Sequence, residues 1–150
     1  MQAGRAIGKI ERRRAHESDR TFIEDVHVAA LGPVALVGYG WTAQRLRAQF
    51  QEEVDLANCE IISVDGRDAG YVSIENRGQF WYIDAFAIGL KFQKQGVGSA
   101  ALRQLLDGVG MVPVRLSVLK VNRARSLYAR LGFRVIGSDS RRELMEWRRR

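Results

Sequence analysis

Cysteine occurs once in the 150 residues, at Cys59, which excludes an internal disulfide framework and suits a reducing cytosol. A lone thiol among apolar neighbours reads as a small buried side chain rather than a nucleophile. Histidine occurs only at His16 and His27. With Cys59 they make no ligand spacing, so no metal is expected. Two prolines leave no stiff linker, and no repeat or low-complexity tract divides the chain. The expectation is one domain over 1–150, long enough to bury a real core.

Acidic residues are the scarcer charge: 17 against 24 basic ones, a net +7. Arginines cluster at 12–14 and 148–150. Such charge favours anionic partners, but solvated surface is the simpler expectation. No basic stripe interleaved with aromatics and no DNA-binding motif is present, so a nucleic-acid partner is not expected. A long apolar run is lacking too. The stretch 26–41 falls short of the ~20 residues a membrane span needs. Glu24 and Asp25 precede it and Gly32-Pro33 interrupts it. A buried helix to about Leu31, followed by an irregular turn, is expected there and no membrane span; a cleaved signal peptide is the alternative.

The most informative stretch is 92–106, which joins an apolar strand (80–88) to an amphipathic helix. The joint reads Gln93-Lys94-Gln95-Gly96-Val97-Gly98-Ser99. A helix N-terminus leaves backbone N–H groups unpaired and carries about half a positive charge. Glycines let a phosphate approach those donors, so the loop reads as an anion cradle, although a plain tight turn has the same composition. It is not a P-loop, which needs Gly-x-x-x-x-Gly-Lys-Ser/Thr. Nor does it fit the dinucleotide fingerprint: alanine at 101 is allowed there, but the motif belongs near the start of a βαβ unit with an acid about 20 residues on, and 116–120 holds none.

A second motif follows. The alternating strand 113–119 leads to Asn122, a good N-cap, and Gly132 is a good helix stop. Between them Ala124, Leu127, Tyr128 and Leu131 share a helical face. On that spacing alone Tyr128 is a core aromatic.

The remaining elements follow from periodicity. A first strand is expected within 3–14, or more narrowly from Ile7. Ser18 caps a helix to about Leu31, and Thr42 caps another to about Val54, with Leu46 and Phe50 inward. Strands at 60–64 and 70–75 form a hairpin around Asp65-Gly66-Arg67-Asp68. A helix over about 96–107 turns Val97, Ala101, Leu102, Leu105 and Leu106 inward. A helix at 123–131 and strands at 133–137 and 143–147 complete the order β-α-α-β-β-β-α-β-α-β-β.

Taken together, Gln-x-x-Gly-x-Gly and, about 25 residues later, Asn…Ala…Leu-Tyr…Leu-Gly-Phe resemble the GNAT superfamily of acyl-CoA-dependent N-acetyltransferases. The resemblance is most specific over 81–135. It implies an α/β (α+β) fold with a mixed, mostly antiparallel sheet and helices on both faces, in which the strand before the glycine loop splays from the strand after the next helix. The ligand implied is acetyl-CoA as co-substrate, with no metal. Main-chain groups of Phe86 and Ile88 would then meet the pantetheine arm. Gln93, Lys94, Gln95, Gly96, Val97, Gly98 and Ser99 would offer N–H groups to the pyrophosphate, Lys94 adding charge. Asn122 would contact the arm or organise the splay, although Tyr128 follows it by six residues where seven is usual, and an N-cap role serves as well.

The reaction implied is acetyl transfer to an amine by direct attack on the thioester. Tyr128 stands where the family's tyrosine protonates the departing thiolate, and the Ile88 N–H would polarise the thioester oxygen. Amines near pKa 10 are protonated at neutral pH, so a base is needed. Alternation places Tyr82, Asp84, Phe86 and Ile88 on one face. Asp84, an acid in an apolar strand, is the candidate base; a carboxylate held by arginine is the alternative. Trp41, Tyr71 and Trp81 would line the acceptor pocket or pack in the core. The acceptor would be a small-molecule or protein amine, and a homodimer is compatible with such folds. A non-catalytic acyl-CoA-binding module is the alternative function.

Overall fold

The computed structural model describes residues 7–150. Its strands are β1 (Ile10–Arg14), β2 (Cys59–Val64), β3 (Arg67–Asn76), β4 (Trp81–Ile88), β5 (Val114–Leu119), β6 (Arg134–Ser138) and β7 (Arg142–Trp147). Its helices are α1 (Arg20–Tyr39), α2 (Ala43–Glu53), α3 (Val97–Gly108) and α4 (Ala124–Arg130). The element order is the one read from periodicity. The seven strands form one sheet in the order β1-β2-β3-β4-β5-β7-β6. Every neighbouring pair is antiparallel except β4 and β5.

Two apolar clusters sandwich the sheet. On one face Val97, Ala101, Leu102, Leu105 and Leu106 of α3 pack with Val72, Ile83, Leu116 and Met145, and Tyr128 of α4 joins them. These are the residues that helical spacing turned inward. On the other face Ile23 and Val26 of α1 and Phe50 of α2 pack on Cys59, Ile61, Tyr71 and Ala87. Cys59 is a free, buried thiol, and burial raises its pKa, as befits packing rather than chemistry.

Local signals account for most boundaries. The Thr42 hydroxyl accepts from the Arg45 N–H at 3.1 Å and starts α2. Asp65 and Gly66, at φ 50° and 79°, make the tight β2–β3 turn, so β3 begins at Arg67, ahead of the expected 70. Part of the arginine excess is spent inside the domain. Arg13 grips Asp19 at 2.8 Å, Arg12 meets Glu60 at 3.1 Å, and Arg149 donates to the Leu106, Asp107 and Gly110 carbonyls at the end of α3.

The first helix departs most from the sequence reading: Ser18 lies in a short 3-10 turn, Glu17–Asp19, and α1 starts after Asp19. α1 does not stop at Leu31 but runs through Gly32 and Pro33 to Tyr39, and ends at Gly40 with φ 72°. Proline removes one N–H and crowds the carbonyl four residues back, a cost of about 3 kcal/mol. The continuation is retained because Ala35 is buried and Gly38 lies against Leu119; a Cβ there would come within 2.9 Å of the Leu119 side chain. The segment Glu17–Tyr39 is consequently long and apolar enough to cross a membrane by length and composition. Here it is an element of the domain, seated on the sheet through Ile23 and Val26 and tied to α2 by Glu24–Arg47 at 2.5 Å.

Candidate active site

β4 and β5 pair over only three positions, Trp81–Ile83 with Val114–Leu116. Beyond Ile83 the two strands separate. The wedge opens into a cleft of about 750 Å³ lined from one side by Tyr82 to Phe86 and from the other by Leu116 to Leu119, Asn122 and Tyr128. α1 and α2 close its other side with His27, Tyr39, Trp41 and Phe50.

The β4 strand carries a bulge at Asp84. Ser73 pairs with Ala85 and the next β3 residue, Ile74, pairs with Ile83, leaving Asp84 as the extra residue. This corrects the simple alternation. Tyr82 shares the α1/α2 face with Ala85 and Ala87, opposite Glu75, Ser73 and Tyr71, whereas Phe86 and Ile88 lie with Ile83 on the α3 face. The four residues are therefore not on one face. The bulge also sets the backbone phase. The Gly89 N–H donates to the Ala69 carbonyl at 2.7 Å, so Ala87 and Ala85 also bond towards β3. Phe86 and Ile88 then direct their N–H groups towards the wedge, where β5 offers no partner.

Asp84 is half exposed. Its carboxylate is 3.7 Å from the Arg77 guanidinium, which also meets Glu75 at 3.4 Å and lies 4.0 Å over the Tyr82 ring. Burial raises the Asp84 pKa and neighbouring Glu75 adds to it, while Arg77 opposes them. Asp84 thus lines the cleft with a raised pKa and rests against an arginine.

Tyr128 is buried and lines the cleft. Its ring packs 5.7 Å from Phe133. Burial pushes its pKa up to about 12, so the hydroxyl keeps its proton at neutral pH. Among the described residues that hydroxyl has no hydrogen-bond partner. Asn122 lines the cleft, and its Oδ1 accepts from the Ala124 N–H at 2.9 Å, the N-cap role.

At the other end of the wedge lies the glycine loop. Lys94 and Gly96 have φ 62° and 81°, two left-handed turns that bring the chain into α3. The first helical bond runs from the Ala100 N–H to the Gly96 carbonyl at 3.0 Å. The N–H groups of Val97, Gly98 and Ser99 therefore precede the helical ladder and face outward from its positive end. Val97 is buried by its side chain and Lys94 is exposed. Gln93 spends its side chain internally, donating from Nε2 to the Ile88 carbonyl at 2.9 Å; Gln95 does likewise to Lys91 at 2.7 Å. A Cβ on Gly98 would sit 3.6 Å from the Phe86 ring, 3.7 Å from Ile88 and 3.8 Å from Leu127. Gly98 thus stands between β4 and α4, where the wedge meets the loop.

Several cleft residues carried no signal in the sequence. His27 Nδ1 is 2.6 Å from the Tyr71 hydroxyl, 44 residues away, and the imidazole packs on Phe50 at 4.9 Å. Burial pushes His27 down to about 4 and Tyr71 upward, so both are neutral at pH 7. Glu53, Asp55 and Glu75 also line the cleft, as does Arg142, which Ser117 and Tyr39 hold. Of the three aromatics that could line a pocket or pack in the core, Trp41 lines the cleft, Tyr71 both lines it and packs in the α1-side core, and Trp81 packs on the α3-side core.

Residues 37–147 match the acetyltransferase (GNAT) domain family. The chain belongs to this family. Solved structures share its fold at low identity. An acetyltransferase of the GNAT family from Streptococcus agalactiae superposes with TM-score 0.74 at 15% identity, covering 97% of this chain and 98% of its own. The PaiA N-acetyltransferase from Thermoplasma acidophilum, in complex with coenzyme A, gives 0.69 at 16%, over 94% and 99%. The ribosomal-protein-S18-alanine N-acetyltransferase from Escherichia coli gives 0.69 at 17%, over 93% and 94%. No curated protein sequence matches the chain.

Proposed function

We propose that this GNAT domain is an acetyl-CoA-dependent N-acetyltransferase acting on an amine. The observation that carries the reading is the wedge between β4 and β5, whose cleft is lined by Tyr128 and Asp84 and whose Phe86 and Ile88 lie beside Gly98 at the start of α3. The residues fit the co-substrate. The free N–H groups of Val97, Gly98 and Ser99 would hold the pyrophosphate, with the backbone of Gln93, Lys94, Gln95 and Gly96 shaping the turn. The absence of a side chain on Gly98 keeps the junction open, and the N–H groups of Phe86 and Ile88 would pair with the arm. Asn122 stiffens the start of α4 beside it. The coenzyme A-bound relative of the same fold supports this assignment.

Acetyl-CoA supplies an activated acyl thioester. The rest of the chemistry falls to this chain. The Ile88 N–H, directed into the wedge, would stabilise the charge that a thioester oxygen gains there. Asp84 takes the proton of the attacking amine, directly or through water, as the N–C bond forms. Its raised pKa brings it nearer the operating pH than an ordinary aspartate. Tyr128, protonated at neutral pH, gives its proton to the sulfur as the C–S bond breaks.

Thermal unfolding with acetyl-CoA and with unacylated CoA tests the reading first. A ligand at a hundred times its Kd stabilises by about 2.7 kcal/mol, a shift of several degrees. A shift followed by amine-dependent CoA release supports the enzyme. A shift without turnover of any amine leaves an acyl-CoA-binding module, and no shift at millimolar ligand removes both.

A further inference from the structure

The cleft reverses the charge of the molecule. The chain carries a net +7, yet Glu53, Asp55, Glu75 and Asp84 line the cleft against a single guanidinium, Arg142. His27 adds no positive charge, because burial keeps it neutral. Arg142 belongs to the β5 wall, fastened by the Ser117 hydroxyl at 2.8 Å, the Ser117 carbonyl at 3.0 Å and the Tyr39 hydroxyl. The carboxylates come from the opposite side, the end of α2 and the β3–β4 ladder. Elsewhere some carboxylates are taken up in ion pairs, Asp19 by Arg13, Glu24 by Arg47 and Glu60 by Arg12, while Asp65 and Asp139 accept from backbone N–H groups. Among the described residues Glu53 and Asp55 meet no cation, and Glu75 and Asp84 share one guanidinium.

The cleft is a built cavity rather than a patch of acids. Tyr128, more than nine-tenths buried, opens into it with a hydroxyl that no described residue engages. The Tyr82 ring on its wall already carries a cation 4.0 Å above its face, that of Arg77.

We infer that the acceptor is an aliphatic di- or polyamine: one nitrogen presented uncharged to the acyl donor, and at least one further ammonium a few carbons away, held by the Glu53 and Glu75 side of the cleft. This rests on the acyl-transfer reading above and narrows its substrate. A carboxylate at the same distance from the reacting amine would meet like charge. The half-exposed carboxylates act through solvent with a screening length of about 10 Å at 0.1 M salt, so the preference should weaken as salt rises.

Three acceptors with the same reacting amine and chain length separate the cases: butane-1,4-diamine, butan-1-amine and 4-aminobutanoate, each assayed with acetyl-CoA by CoA release and by mass of the product. The expected order of kcat/KM is diamine, then monoamine, then amino acid, with the first step about tenfold or more and narrowing at 0.5 M NaCl. Glu53→Gln and Glu75→Gln should each narrow it too, through KM for the diamine rather than kcat. Equal rates for the three, or a faster amino acid, would overturn the inference while leaving an acetyltransferase. Absence of turnover for every amine would remove the acyl-transfer reading separately. Calorimetric titration of the CoA-saturated protein with spermidine then decides: binding that Glu53→Gln and Glu75→Gln weaken upholds the cation-selective cleft, and no binding overturns it.

Discussion

The Gln93 side-chain amide donates to the Ile88 carbonyl at 2.9 Å, which ties the loop ahead of α3 to the last residue of β4. The bond fixes the glycine loop relative to the wedge and leaves the Ile88 N–H as the group free to meet a ligand. Gln93→Ala should cost about 1 kcal/mol of stability, the usual net worth of such a bond. It should also weaken CoA binding several-fold, because loop and strand no longer move together. Unfolding curves and calorimetric titration with CoA check the two effects.

At Gly98 the surrounding contacts separate shape from charge. A Cβ would stand at ordinary contact distance from Phe86, Ile88 and Leu127. Gly98→Ala should therefore fold with unchanged or slightly raised Tm, since alanine is the better helix former. Gly98→Glu would bring a carboxylate to the donors that hold the pyrophosphate, and should abolish the Tm shift given by CoA. A Glu variant that still responds to CoA would take the cradle away from this loop.

Removing the Tyr128 hydroxyl should affect rate and leave stability alone. No described residue engages it, so Tyr128→Phe breaks no bond in the protein, and Tm should stay level or rise. Loss of a general acid should lower kcat by about 100-fold with the CoA Kd unchanged. A fully active Phe variant would place Tyr128 among the packing residues of the α3-side core.

A base at Asp84 predicts an acid limb in the pH–rate profile. Burial and Glu75 raise its pKa, so kcat/KM should fall on acidification with an apparent pKa above that of an ordinary aspartate. Asp84→Asn should lower the plateau and flatten that limb. Arg77→Gln removes the one opposing charge and should move the limb to higher pH. An Asn variant with the wild-type profile would pass the role to water or another group.

Buried, neutral His27 makes stability pH-dependent. Its pKa is about 4 in the fold against 6.5 when exposed, so between those values the unfolded chain binds more protons. Stability should therefore fall as pH drops from 6.5 towards 4. His27→Phe should remove that slope, at the expense of the bond to Tyr71. Asp19 acts in a different window: Arg13 lowers it from 3.8 to about 2, so its contribution disappears only below about pH 4. Melting curves at pH 7, 5.5 and 4.5 resolve the first effect.

What could be read in advance was whatever repeats locally. The α3 face from Val97 to Leu106, the Thr42 cap, the Asp65-Gly66 turn and the Asn122 start of α4 are each written in a few neighbouring residues. The features that escaped depend on distant partners. Pro33 looked like a stop because its own chemistry opposes a helix, and only the seats of Ala35 and Gly38 against the rest of the domain carry α1 past it. The Asp84 bulge is invisible in β4 alone, since it is a mismatch of count between β3 and β4. That one inserted residue is why Phe86 and Ile88 part company with Tyr82. His27 and Tyr71 look like unrelated core positions until α1 lies across β3.

The three-position contact between β4 and β5 leaves an internal seam in the sheet. To one side lie β1 to β4 with α1 and α2; to the other lie β5, β7 and β6. In amide exchange, the middle of this sheet should behave as a rim: the Phe86 and Ile88 amide protons should trade with solvent as freely as those on the outer edge of β6, while Ala85 and Ala87, each one residue away, stay protected. Filling the seam would slow the two fast amides alone, making them reporters of occupancy that need no chemical turnover.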